Sequence, residues 1–167
     1  MKLFGITGWK NAGKTTLTER LVTEFTAKGL SVSTIKRTHH SVDLDPKGTD
    51  THKHRTAGAT EVVLASDARY AILKEHRGGP APTLDELVAR LAPVDLVLIE
   101  GFKSEAHPKI EAHRTETAQG LIASNTPSVV ALASDTTVRI DRDIPQLDLN
   151  DIPAIAQFIA RYLDLDL

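Results

Sequence analysis

Cysteine is absent from the 167 residues. That excludes a disulfide framework and thiolate metal sites, and it fits a reducing compartment. No apolar run approaches membrane-spanning length. Charge of neither sign dominates: 20 basic residues face 22 acidic ones, a formal charge of -2. The overall balance therefore offers no footing for a nucleic-acid or anionic-membrane partner. The N-terminal MKLFGITGWK carries too short an apolar stretch for a signal peptide, so the expected location is the cytoplasm. Internal repeats and low-complexity tracts are missing too. The length suits one domain with a real core, and the expectation is a single domain over 1–167.

What is present begins with GWKNAGKTT, residues 8 to 16. Gly8, Gly13, Lys14 and Thr15 fit the phosphate-loop pattern GxxxxGK[ST]. Two glycines let successive backbone N–H groups turn inward and approach phosphate oxygens closely, and the loop should end on a helix N-terminus with its unsatisfied donors and positive dipole end. Lys14 then reaches the outer phosphates, the Thr15 hydroxyl ligates magnesium, and Thr16 is a weaker candidate for an inner phosphate oxygen. The nucleotide-binding candidates are Gly8, Trp9, Lys10, Asn11, Ala12, Gly13, Lys14, Thr15 and Thr16.

The surrounding pattern supplies the strand and helix that such a loop requires. Leu3 to Thr7 reads as a buried first strand, and Leu17, Leu21, Val22 and Phe25 as the apolar face of a helix that Gly29 stops. Leu30 to Lys36 reads as the second strand, and the polar stretch Arg37 to Gly48 as a long loop. Thr51 to Gly58 reads as a short helix, and Thr60 to Ala65 with Arg69 to Lys74 as a hairpin that would give a parallel sheet an antiparallel edge. Thr83 and Glu86 form a capping box for a helix ending near Leu91. DLVLIE at 95 to 100 and SVVALA at 128 to 133 are continuously apolar, as in central strands covered on both faces. A last helix runs from Asn150 to Leu163. The expected fold is α/β of the phosphate-loop NTPase type: a mostly parallel sheet with helices on both faces and an antiparallel hairpin or edge.

A magnesium nucleotide needs an acid at the tip of a neighbouring strand. Asp95 and Glu100 lie roughly 17 Å apart along their strand, and ligands bind outside the carboxyl ends of such sheets, which selects Glu100 as the second metal residue. Lys103 just beyond meets a substrate phosphate or is solvated. His39 and His40 would point to opposite sides of an extended chain, so they share a metal only if the loop bends; solvated loop histidines and phosphate or substrate contacts are the alternatives. No NKxD motif follows a strand. Asp135, in ALASD, stands in a comparable place and could accept the two adjacent N–H donors of guanine, or it could cap a turn.

Taken together, GWKNAGKTT, IKRTHH, KGTDTHKHRTAGA at 47 to 59, DLVLIEGFK at 95 to 103, ASD at 133 to 135 and LDLNDI near the end resemble the molybdopterin-guanine dinucleotide biosynthesis family MobB. The resemblance covers nearly the whole chain. It implies a GTP-binding accessory protein, at most a slow GTPase, and a homodimer that assists the guanylyltransferase MobA in attaching a guanine nucleotide to molybdopterin. It further implies that Gly8 to Thr16 and Glu100 bind magnesium GTP, with His39, His40 and Lys103 near the pterin or the partner. Two other classes use the same cradle. A small-molecule kinase would need arginines on a mobile lid, for which Arg77 and Arg114 are thin candidates. A nickel or cobalt delivery GTPase is favoured by the histidines and disfavoured by the lack of cysteine and of a dense His tract.

Overall fold

The computed structural model describes residues 1–38 and 42–167. Along the chain the elements are β1 (Lys2–Thr7), α1 (Lys14–Ala27), β2 (Val32–Lys36), α2 (Asp50–Thr56), β3 (Glu61–Ala65), β4 (Tyr70–Lys74), α3 (Leu84–Val88), β5 (Leu96–Glu100), β6 (Lys109–His113), β7 (Val129–Ser134), β8 (Gln146–Asp148) and α4 (Ile152–Leu163), with 3-10 turns at Thr115–Thr117 and Ile122–Asn125. They gather into two compact units, one of Met1–Arg37 with Val88–Leu167 and one of Thr38–Leu87.

The first unit is built on a six-stranded sheet in the order β2-β5-β1-β6-β7-β8, and every pairing in it is parallel. Parallel strands put all their carboxyl ends on one edge, where such sheets bind ligands. On one face Phe4, Ile6, Leu96, Leu98, Ile110, Ala112, Ala131 and Ala133 meet Leu17, Leu21 and Phe25 of α1 and Ile155 and Ile159 of α4 in one buried cluster. Each fully buried Phe, Leu or Ile stabilises the fold by about 1.5–3 kcal/mol. α1 stops at Gly29, whose φ of 88° admits the left-handed turn. The amide of Leu30 then reaches the Phe25 carbonyl at 3.1 Å and that of Gly29 the Thr26 carbonyl at 3.0 Å, the double bond of a Schellman cap. At the start of α4, Asp151 accepts from the Ala154 amide at 3.0 Å, and Pro153 occupies the first turn.

The opposite face carries two features that the sequence pattern hides. β6 was not expected as a strand: Lys109, Glu111 and His113 break the continuous apolar run by which β5 and β7 stand out. All three are buried, and β6 runs between β1 and β7. Their charges are satisfied locally: Lys109 Nζ donates to the Glu105 carbonyl and, at 3.0 Å, to Ser128 Oγ. Glu111 accepts from the amides of Ile122 at 2.9 Å and Ala123 at 2.7 Å. Glu111 thereby ties the Ile122–Asn125 turn over the sheet. β8, three residues long, also escapes a pattern search.

In the second unit β3 and β4 pair antiparallel, Val62 with Leu73 and Val63 with Ile72. The hairpin forms as expected, closed by Ser66, whose amide donates to the Arg69 carbonyl at 2.9 Å. It does not extend the parallel sheet; β3 and β4 make a two-stranded sheet of their own. Beside it Arg55 binds Asp45 at 3.1 Å, Asp43 at 2.8 Å and Glu75 at 2.5 Å. The capping box is also present: the Thr83 amide donates to Glu86 at 2.8 Å and the Glu86 amide to Thr83 Oγ1 at 3.2 Å. The helix it starts, α3, ends at Val88, short of Leu91.

Candidate functional site

The loop between β1 and α1 has the backbone that its glycines permit. Gly8 has φ 148°, Asn11 65° and Gly13 91°. A Cβ on Gly8 would lie 2.4 Å from the Ala112 carbonyl oxygen, so only glycine lets β6 seat the loop this closely. The turn closes through the Ala12 amide, which donates to the Trp9 carbonyl at 3.2 Å. α1 then begins with Gly13 as N-cap, without a side-chain cap and without an acid in its first turn. Where Asp151 serves the start of α4, nothing comparable serves α1. Its first amides and positive dipole end are left for an anion.

Two side chains from different elements meet at this end. Glu100 is the last residue of β5, beside Ile6 of β1 and Lys36 of β2 in the strand register, and it is buried. Thr15 Oγ1 donates to Glu100 Oε1 at 3.2 Å and to Oε2 at 3.3 Å. Neighbouring ligands of an octahedral magnesium ion, each about 2.1 Å from the metal, lie ~3.0 Å apart. The pair therefore fits that metal. Asp95 sits at the other end of β5, where it accepts from the Ser31 amide at 2.8 Å and from Ser31 Oγ at 2.6 Å.

Lysines surround the Thr15–Glu100 pair. Lys14 Nζ donates to the Trp9 carbonyl at 2.7 Å across the loop. Burial holds the Lys14 ammonium below the usual lysine range; Glu100 pulls it back up, and Lys103 and Lys36 push it down further. Lys103 Nζ lies 4.3 Å from the Trp9 ring centroid, a cation–π contact, and Trp9 Nε1 donates to the Gly120 carbonyl at 2.6 Å. Lys10, Thr15 and Thr16 are solvent-exposed. Such a concentration of positive charge about one carboxylate suits a polyanion carrying a divalent metal.

Asp135 follows β7 on the same carboxyl edge. Its Oδ1 accepts from the Thr115 amide and from Thr115 Oγ1, both at 3.1 Å, and so caps the Thr115–Thr117 turn. Desolvation pulls this carboxyl upward, but the Thr115 bonds and the Arg114 charge together hold it below the usual range. His39 and His40 lie outside the described residues. The sequence pattern gave Lys36 no site role and Arg114 only that of a kinase-lid candidate. Lys36 ends β2 opposite Glu100, a signal that exists only once β2 is known to pair with β5. Arg114 directly follows β6 and brings Nε to 3.2 Å from where a Gly13 Cβ would be; since β6 itself was hidden, so was its tip.

The family model for MobB, molybdopterin guanine dinucleotide synthesis protein B, matches residues 3–135. Over 96% of its length the chain is 43% identical to a molybdopterin-guanine dinucleotide biosynthesis adapter protein of Haemophilus influenzae, covering 89% of that protein. The chain belongs to the MobB family. A second MobB-family relative, the adapter protein of the same name from Escherichia coli, is 34% identical over 96% of this chain and 93% of its own. The fold is also that of a crystallised MobB homolog from Bacillus stearothermophilus, with a TM-score of 0.75 at 24% identity over 98% of this chain and 99% of that one. The MobB match begins in β1 and ends at Asp135, so it takes in the loop, Glu100 and the whole carboxyl edge as far as β7.

Proposed function

We propose that this chain is a magnesium-GTP-binding accessory protein of molybdopterin guanine dinucleotide synthesis, working beside the guanylyltransferase MobA. One observation carries the nucleotide reading. A threonine hydroxyl and a buried glutamate, 3.2 Å apart, stand beside an uncapped helix N-terminus and a glycine-formed loop. In this reading the amides of Gly8 to Thr16 hold the phosphates, Lys14 leaves the Trp9 carbonyl for the outer phosphates, and Thr15 and Glu100 hold the metal. Magnesium supplies charge neutralisation at the phosphate oxygens. Asp135, on the same edge, takes the guanine N–H groups. The pathway rests on MobB family membership and on the adapter proteins it resembles.

An accessory role suits the site better than fast phosphoryl transfer. Of the two arginines considered for a kinase lid, Arg77 donates to the carbonyls of Arg55 at 2.7 Å and Ala59 at 2.9 Å and so serves its own unit, while Arg114 lies beside Gly13 at the end of β6. Among the described residues no group of three or more His, Asp or Glu could hold a delivered metal ion. Lys103, exposed beside Trp9, is the described candidate for a pterin or partner contact. The homodimer reading has a surface to support it. One face of the hairpin presents Val63, Tyr70 and Ile72 at 60%, 72% and 53% exposure, an apolar patch that a second copy would cover.

The test is reconstitution. Adding the purified chain with magnesium GTP to MobA and molybdopterin should raise the yield of molybdopterin guanine dinucleotide, and Lys14→Ala should abolish the gain. An unchanged yield, with no cross-link to MobA, would overturn the proposal.

A further inference from the structure

Lys36 has no part in the reading above, yet it touches both residues assigned to the metal. Its Nζ lies 3.1 Å from Thr15 Oγ1 and 3.1 Å from Glu100 Oε1. The side chain is 55% exposed while that of Glu100 is 10% exposed, so a water-reached cation rests on a shielded acceptor. Strand register places it there: Lys36 is paired with Glu100 across β2 and β5.

The ammonium and a magnesium ion require the same lone pairs. Thr15 Oγ1 donates its proton to Glu100 and accepts from Lys36. A metal about 2.1 Å from both oxygens would lie in the wedge that Nζ closes, with two cations within a few ångströms of each other. Lys14, next to Thr15 in the chain, and Lys103, over Trp9, add to the positive field. We propose that Lys36 is the resident counter-ion of this metal position. It keeps the Thr15–Glu100 pair assembled in the metal-free protein and leaves when a divalent ion arrives with a triphosphate. The inference rests on the magnesium-triphosphate reading of this site and adds a consequence to it. A divalent ion alone meets a competitor and a repulsive field, whereas a triphosphate brings the negative charge that offsets both. Metal and nucleotide therefore favour each other's binding, and part of that coupling runs through Lys36.

Manganese serves as the probe, with free ion counted by electron paramagnetic resonance, with and without a non-hydrolysable GTP analogue. Without nucleotide, Lys36→Met and Lys36→Gln should each bind Mn2+ roughly two- to fivefold more tightly than wild type, the range for losing a half-exposed ion-pair competitor. The enhancement of Mn2+ affinity by the analogue should shrink by the same factor, and both effects should fade at high salt. Equal or weaker Mn2+ binding in both variants would overturn the inference, as would a loss of analogue affinity with metal affinity unchanged, which would make Lys36 a phosphate ligand only. These results leave the magnesium-triphosphate reading standing. That reading fails separately, and the inference with it, if wild type binds no Mn2+ in the presence of the analogue.

Discussion

Replacing Lys14 by alanine separates the demands of the fold from those of the ligand. The ammonium is half-buried, and burial holds its proton affinity below the ordinary value of 10.5. The unfolded chain thus holds that proton more tightly than the folded one. Between the lowered value and 10.5 stability therefore rises with pH, and at neutral pH the charge is a cost to folding. Against that cost stands one hydrogen bond to the Trp9 carbonyl at 2.7 Å, of a kind that contributes about 0.5–1.5 kcal/mol. The two act in opposite directions, so Lys14→Ala should shift the unfolding free energy by no more than the one hydrogen bond contributes, about 1 kcal/mol. Ligand affinity should behave differently. An ammonium about 4 Å from a phosphate charge gains ~4 kcal/mol at an effective dielectric constant of 20. Allowing half for solvent at this partly open site leaves ~2 kcal/mol, a roughly thirtyfold rise in Kd. The chain's one tryptophan, Trp9, lies in the loop under Lys103, so its fluorescence reports a titration with magnesium GTP directly. Guanosine, which lacks phosphates, should bind wild type and variant alike. A Kd within threefold of wild type, or a loss that merely follows unfolding, would refute the reasoning.

Other consequences concern the base, acid stability and assembly. Asp135→Asn should lower the preference for GTP over ATP at least tenfold, about 1.4 kcal/mol, in a competition assay; a lowered Tm with unchanged preference would leave Asp135 as a cap on Thr115 alone. His107 packs over Gly5 with neither ring nitrogen partnered, and burial, then the Lys109 charge, lower its pKa from 6.5 to about 4. Between those values the unfolded chain binds the proton that the folded chain refuses, so stability should fall by about 2–3 kcal/mol from pH 6.5 to pH 4. Urea titrations of His107→Leu should show a flatter pH dependence, and an equal slope would contradict the assignment. Val63→Lys with Ile72→Lys should convert a dimer to a monomer in sedimentation velocity without lowering Tm; an unchanged sedimentation coefficient would place any dimer contact elsewhere.

Features coded locally were legible in the sequence, and features coded by distant neighbours were not. The glycine loop, the Schellman stop at Gly29, the Thr83–Glu86 box and the Ser66–Arg69 turn are each specified within a few residues. β5 and β7 announce themselves because both of their faces are dry. β6 does not, since Lys109 and Glu111 spend their charge on the Glu105 carbonyl, Ser128 and two amides of a later turn that no local pattern reveals. The same limit hid where Lys36 and Arg114 would lie, since strand order and not spacing brings them to the site. The hairpin divides the same way: its formation is local and was legible, whereas nothing local says that β3 and β4 pair only with each other.

The most direct measurement is a crystal structure of the chain grown with magnesium and a non-hydrolysable GTP analogue. The β- and γ-phosphates should lie on the amides of Gly8 to Thr16, the metal on Thr15 and Glu100, and Lys36 should have moved off that pair. A nucleotide bound away from the carboxyl edge, with Thr15 still bonded to Glu100 and Lys36, would contradict it.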